Sequence, residues 1–327
     1  MKYLVVSLPT DAVFPRAAAE LLGAVAGLGG QPSDVVAVAV LGRAVSQACR
    51  EAVALGAAAV YSVESDALVD GDADVYLQAL AAVVEEARPE VVLLAADPLS
   101  AELAPRLAYR LGTGAATDCV GIAHAEDGAL LFQRPVYGGK ALAWLEISGS
   151  PKIATIAPHS FDPLPRDDAH RAVVSEIAFA VDPAARRARV QEVLREDTGG
   201  VRLEDARVVV SGGRGLAEAG NFRYLRDLAE VLGASVGASR PPVDLNWVPA
   251  SLQVGQTGKV VAPDLYVAVA ISGASQHLAG MGAAKHIVVI NADPQAPFFK
   301  VAEVGVVADF KTFLPVLTEK LKALPPG

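Results

Sequence analysis

Apolar residues fall along this chain in short unbroken runs, separated by longer stretches where apolar and polar positions alternate with a helical period. "YLVVSL" at 3–8, "DVVAVAVLG" at 34–42, "AAVYSVES" at 58–65 and "EVVLLAAD" at 90–97 are rich in β-branched residues and too short for helices. Each predicts a strand buried on both faces. Between them, "PRAAAELLGAVAGL", "VSQACREAVALGA", "DADVYLQALAAVVEEARP" and "SAELAPRLAYRLG" predict amphipathic helices, the first with Pro15 near its start. Strands alternating with helices in this way predict a doubly wound α/β domain with a mainly parallel sheet.

The rhythm changes at 117–180. "GALLFQRPVYGGKALAWLEIS" and "PKIATIAP" give short strands with Gly and Pro turns and no long helix. They predict either extra strands in the same sheet or a small antiparallel layer. "DPAARRARVQEVLREDTGG" at 182–200 reads as a linker, in which Val190, Val193 and Leu194 leave a helix open. A second α/β unit starts at "EDARVVVSGGRG" and runs through "NFRYLRDLAEVLG", "ASVGASRPPVD", "LYVAVAIS", "HIVVINAD" and "VGVVADF" to the helix "KTFLPVLTEKLKAL". Two domains follow, 1–197 and 198–327, with no visible repeat between them.

Length and charge narrow the classes. The 327 residues suffice for two ordinary domains. A formal net charge of -9 argues against nucleic acid as a partner. The two cysteines, Cys49 and Cys119, lie far apart and form no CxxC, so no iron–sulfur or zinc site is expected. "MKYLVVSLP" enters a strand directly, without a signal or transit pattern, and no apolar run is long enough to span a bilayer, so a cytoplasmic protein is expected.

Candidate chemistry gathers in the second unit. Polar residues follow its predicted strands: Ser211 to Arg214, Ser272 to Ala274, Asn291 with Asp293, and Asp309. Any one of these fits an ordinary turn, but four in a small domain predict a ligand crevice at the carboxyl edge of a sheet. "SGGRGL" lacks the GxGxxG spacing. "QVGQTGKVV" fails as a P-loop, because Gln253 and Val260 stand where Gly and Ser or Thr are needed. "ISGASQHL" brings a strand to a helix N-terminus, a seat for a pyrophosphate, with His277 in the first turn. Arg214 and Arg240 read as turn residues close to it. Taken alone, His277 is more often a core histidine bonded to a carbonyl; the Ser-Gly entry and the two arginines favour a ligand role here.

Together "VVVSGGRGL", "LGASVGASRPPVD", "QVGQTGKVVAPDLYVAVAISGASQHLAGM", "IVVINADPQAPFF" and "VADF" resemble the alpha subunit of electron transfer flavoprotein. "LAPRLAYRLGTGAATDCVGI" and "RPVYGGKALA" extend the resemblance over nearly the whole chain. It implies an electron carrier with no catalytic residues of its own and no metal. It implies a heterodimer with a beta subunit, and an FAD held by the C-terminal domain. It further implies electrons taken from acyl-CoA dehydrogenases of fatty acid oxidation and passed to a membrane quinone oxidoreductase.

Position by position, the resemblance puts Arg214, Ser239 and Arg240 near the isoalloxazine. Val254, Gly255, Gln256 and Thr257 would line it. Ser272, Gly273, Ala274, Ser275 and Gln276 would hold the pyrophosphate, with His277 at the pyrimidine O2. Asn291, Asp309 and Phe310 would hold the adenosine. The chain departs from the family pattern at Asn246 and Ala270, where Gly is common, at Ser275 for Ile, and at Phe310 for Leu. Arg134, Tyr137 and Lys140 fit either a face for the beta subunit or braces of a hairpin, with the second preferred. Alternatives are a bifurcating relative with a second FAD in the beta subunit, an NAD-dependent enzyme on the same scaffold, and a nucleotide-sensing module without redox chemistry.

Overall fold

In the computed structural model, which describes residues 1–9, 12–29, 34–69, 71–137, 141–192 and 203–323, the first four predicted strand–helix pairs appear in order. They are β1 (Lys2–Ser7), α1 (Arg16–Gly27), β2 (Val35–Gly42), α2 (Ser46–Ala54), β3 (Ala59–Glu64), α3 (Ala73–Ala87), β4 (Val91–Ala95) and α4 (Pro98–Leu111). The alternation of side chains along β1 splits it between two cores. Tyr3 and Val5 pack with α1 and α2 residues such as Leu22 and Ala48. Leu4 and Val6 pack with α3 and α4 residues such as Leu80 and Leu107. Both faces of the strand are therefore buried, as an unbroken apolar run requires.

The segment after 112, which takes in the altered rhythm at 117–180, contributes to both arrangements that the sequence left open. It contains β5 (Ala115–Cys119), β6 (Gly121–His124), β7 (Leu130–Val136), β8 (Ala141–Glu146), β9 (Lys152–Ile156) and β10 (Val173–Glu176). Strands β5, β9 and β10 join the first four in a seven-stranded sheet of order β10-β3-β2-β1-β4-β9-β5. Every pairing in it is parallel. Strands β6, β7 and β8 form a separate antiparallel sheet. Arg134 lies half-buried on β7 in register with Ala143, Tyr137 is exposed beyond its end, and Lys140 lies outside the described residues.

Two compact units divide the chain, Met1–Leu194 and Arg195–Gly327. The boundary expected at 197 falls outside the described residues, as do Val193 and Leu194. Before that point the linker forms a short turn at Pro183–Ala185 and is irregular through 192. Two buried carboxylates at the start of α3 hold it against the first unit. Asp72 pairs with Arg186. Asp74 pairs with Arg106 and accepts the backbone N–H groups of Arg187 at 2.6 Å and Ala188 at 3.0 Å.

The hydrogen bond from Arg106 holds the Asp74 carboxyl down to about 2. A depressed carboxylate stabilises the strap above its ordinary pKa and loses that contribution as pH falls through about 2. Asp74→Asn should loosen the backbone at 186–189 at neutral pH. Limited trypsin digestion should cut there at least about tenfold faster than in the parent, since a buried donor set is left unpaired. An unchanged rate would show that the strap is held by other means.

The second unit comprises β11 (Val208–Gly212), α5 (Phe222–Leu232), β12 (Ser235–Ala238), α6 (Arg240–Asp244), β13 (Leu265–Val269), α7 (Ser275–Leu278), β14 (His286–Asn291), β15 (Val304–Val307) and α8 (Phe310–Lys322). Its five strands are parallel in the order β12-β11-β13-β14-β15. The chain enters at β11, steps outward to β12, then returns to the other side of β11 as β13. That reversal leaves a crevice at the carboxyl ends of β11 and β13. Among the described residues no helix is long and apolar enough to cross a membrane.

Candidate functional site

The loops that follow the two strands at the reversal close on each other. Gly213 N–H donates to Val269 O at 3.0 Å, and Gly215 N–H to Ala270 O at 3.2 Å. A Cβ on Gly213 would fall 2.2 Å from that same Ala270 oxygen. Arg214 opens a turn at Arg214–Leu216 and is exposed. Ala270 takes φ 54, a left-handed conformation that suits the Gly common at this position in the family better than alanine. Asn246, the other substituted Gly, has φ 55. Asparagine tolerates this region, so the loop keeps its path.

Beyond β13, Gly273 turns the chain with φ +86 and packs so closely on Phe298 that a Cβ would lie 2.5 Å from its nitrogen. The neighbouring Phe298 N–H donates to Ser272 O at 3.1 Å. His277 N–H and Leu278 N–H both use Ala274 O, closing the first turn of α7. Among the described residues, the backbone N–H groups of Ser272, Gly273, Ala274, Ser275 and Gln276 take no acceptor. Four of these residues, Gly273 excepted, are exposed. A run of unpaired donors at the carboxyl edge of a sheet suits an anionic group such as a pyrophosphate.

A third loop spans the crevice wall. Val254 N–H donates to Ala238 O at 2.8 Å, and Gln256 N–H to Gln276 O at 2.7 Å. The loop is thus tied to the end of β12 on one side and to α7 on the other. Gly280 makes the second tie possible, since a Cβ there would meet Gly255 N at 2.3 Å. Gln256 and Thr257 are exposed, with Thr257 Oγ1 accepting from Gln253 Nε2 at 2.9 Å. Ser239 is buried and its N–H donates to Gly212 O at 2.9 Å. Arg240 is not a turn residue but the first residue of α6, exposed and paired with Asp244 at 3.2 Å.

His277 differs most from the expectation. It is buried, with Nδ1 at 3.0 Å from Val254 O and Nε2 at 3.0 Å from Tyr266 Oη. Its ring stands edge-on to Phe298, centroids 5.8 Å apart. A carbonyl only accepts, so Nδ1 carries the proton and Nε2 accepts from the tyrosine. Burial pushes its pKa down to about 4, against a smaller upward pull from the Val254 carbonyl. The imidazole is therefore neutral at pH 7, with both nitrogens used inside the fold. The resemblance put His277 at the pyrimidine O2; in the fold its two ring nitrogens meet Val254 O and Tyr266 Oη.

Two further positions belong to the scaffold. Val254 is buried and uses both its backbone groups in the loop ties. Phe310 is buried in the core against Tyr224, ring centroids 5.8 Å apart. Asn291 is half-buried; Nδ2 donates to Ile271 O at 2.9 Å, and Oδ1 accepts from Asp293 N–H at 3.0 Å. Asp309 is exposed and caps α8 by accepting Lys311 N–H at 2.8 Å. It lies two strands from β13, roughly 10 Å at ordinary strand spacing. Sequence reasoning passed over Tyr266, Phe298 and Gly280. The hydroxyl of Tyr266 in an otherwise apolar strand was the available signal, because a buried Tyr O–H needs a partner.

Comparison with known proteins decides the family. Residues 4–182 match the family model described as "Electron transfer flavoprotein domain", and residues 202–282 match "Electron transfer flavoprotein FAD-binding domain". The chain belongs to the electron transfer flavoprotein alpha-subunit family. Its cofactor is FAD. The electron transfer flavoprotein subunit alpha of Thermoanaerobacterium thermosaccharolyticum is 38% identical, over 94% of this chain and 93% of the relative. That of Bacillus subtilis is 40% identical, over 89% and 88%. Protein FixB of Azotobacter vinelandii is 38% identical, over 93% and 86%. The FAD-binding match covers the loops from Arg214 to His277 and stops short of Asn291, Asp309 and Phe310. The run of unpaired N–H groups at Ser272–Gln276 fits the pyrophosphate of such a cofactor.

Proposed function

We propose that this chain is the FAD-holding half of a cytoplasmic electron carrier, working as a heterodimer with a beta subunit and having no self-sufficient enzyme activity. The run of free N–H groups at Ser272–Gln276, placed where the sheet reverses, is the observation that carries this reading. Electrons come from acyl-CoA and related dehydrogenases and leave to a membrane quinone oxidoreductase, the arrangement the family resemblance implies. When bound, FAD supplies the electron chemistry, and the protein supplies position and charge.

In this reading the Ser272–Gln276 turn binds the pyrophosphate by backbone donors. Gln256 and Thr257 line the ring, and Arg214 and Arg240 offer positive charge beside it. Ser239, Val254, Gly255 and His277 set the height of the lining loop. Asn291, Asp309 and the Phe310 backbone take the adenosine end. The expected cytoplasmic setting agrees with Cys49 and Cys119 being buried and free.

Flavin counting on the complex purified with its beta subunit tests the proposal. One FAD per heterodimer and reduction by an acyl-CoA dehydrogenase are expected. Two FAD per heterodimer would assign the bifurcating role instead. A colourless complex that does not take up added FAD would overturn the reading.

A further inference from the structure

Tyr266 occupies the middle of the second unit's sheet, fully buried on β13 between β11 and β14. Its ring packs against Phe298 and His277. A phenylalanine would fill the same space, so packing alone does not account for the hydroxyl. That hydroxyl lies 3.0 Å from His277 Nε2. Ser211 Oγ, also buried, stands beside it without a well-formed hydrogen bond.

We propose that Tyr266 is a positioning residue for the FAD site, fixing through His277 the loop that lines the ring. This rests on the assignment of FAD to the crevice. The hydroxyl donates to Nε2, which leaves Nδ1 as the protonated nitrogen. Nδ1–H then donates to the Val254 carbonyl at 3.0 Å. Val254 is held from its other side by the bond from its own N–H to Ala238 O at 2.8 Å. The exposed residues Gln256 and Thr257 follow directly from this twice-held point. In the opposite tautomer the Nδ1 lone pair would face the carbonyl lone pairs, and the tie would become a repulsion. The carbonyl alone therefore selects protonated Nδ1, but without the tyrosine hydroxyl Nε2 is a buried acceptor left unmade, and the ring loses the second point that holds it against the loop. The loop must then be ordered at the moment the cofactor binds, and binding weakens by that cost.

Three preparations of the full chain with its beta subunit test this: parent, Tyr266→Phe and His277→Asn. In the parent, the nitrogen-15 spectrum of the histidine rings should contain a ring with protonated Nδ1 and bare Nε2 that is absent from His277→Asn. In Tyr266→Phe the Nε2 resonance should move as its hydrogen bond is lost while Nδ1 stays protonated, and the dissociation constant for FAD should rise about tenfold, the effect of one buried acceptor left unmade. Asparagine at 277 keeps a donor near the Nδ1 position and has no group at Nε2. In the His277→Asn background, adding Tyr266→Phe should therefore change FAD affinity by less than about twofold. An unchanged Nε2 resonance in Tyr266→Phe, an unchanged affinity, or an equal loss in the asparagine background would each overturn the proposal. Failure of the parent to bind FAD would instead sink the cofactor assignment on which it rests.

Discussion

Gly273→Ala should abolish FAD retention at ordinary flavin concentrations while leaving the first unit folded. The backbone there has φ +86, and the new Cβ would fall 2.5 Å from Phe298 N and 2.6 Å from its Cα. Left-handed backbone alone costs an ordinary residue roughly 1–2 kcal/mol. The clash adds to this, because its partners are main-chain atoms that cannot rotate away. Relief requires moving the Ser272–Gln276 turn off Phe298, which breaks the Phe298 N–H bond to Ser272 O and misaims the unpaired donors. A loss of about 3 kcal/mol in the stability of the second unit is expected. FAD affinity should fall at least about a hundredfold. Gly220→Ala is the control, since its Cβ would meet nothing within 4 Å and its φ is not positive. Equilibrium dialysis with FAD checks the result, and a Gly273→Ala complex as yellow as the Gly220→Ala complex would refute it.

The second large effect is with acid. His277 titrates near 6.5 in the unfolded chain, while burial holds it at about 4 in the fold. As pH falls through that window the unfolded chain takes up a proton that the folded chain refuses. Stability of the second unit is therefore lost progressively from about pH 6.5 to about pH 4, and the loss levels off below. The difference amounts to about 3 kcal/mol. Tyr266, whose hydroxyl burial pushes far up, stays neutral throughout and adds no slope. His277→Asn should remove this contribution while the carboxylates elsewhere keep theirs. Urea unfolding of parent and variant at pH 7 and pH 4.5, with and without FAD, measures the difference. Parallel pH slopes in the two proteins would show that the imidazole charges freely.

Much of the architecture was legible because burial on both faces writes itself as unbroken apolar runs. β1, β2, β3 and β4, and later β11, β13 and β14, sit where such runs sit, with helices between. The order of strands was not legible, since a run of valines does not say which neighbour it joins. That β10 pairs with β3 across more than a hundred residues, while β6 to β8 leave the sheet altogether, depends on which edges remained open after the first strands had paired.

At the site, residue types and spacing located the crevice. "SGGRG" and "ISGASQH" follow strands at the reversal of the sheet, and only the structure shows how closely Gly213 and Gly273 approach neighbouring backbone. Direction was decided only by tertiary contact. His277 reads from sequence as a donor at a helix N-terminus, but its ring turns inward because Tyr266 and the Val254 carbonyl satisfy both nitrogens in a space that excludes water. Phe310 turns inward because Tyr224 and the α5–α8 packing offer its ring more buried area than the sheet edge does. Asp309 beside it, unable to enter that core, stays at the surface as a helix cap. The sequence by itself determined which backbone turns could meet an anion; the competition between burial and hydrogen bonding in the folded second unit decided which side chains remain free to do so.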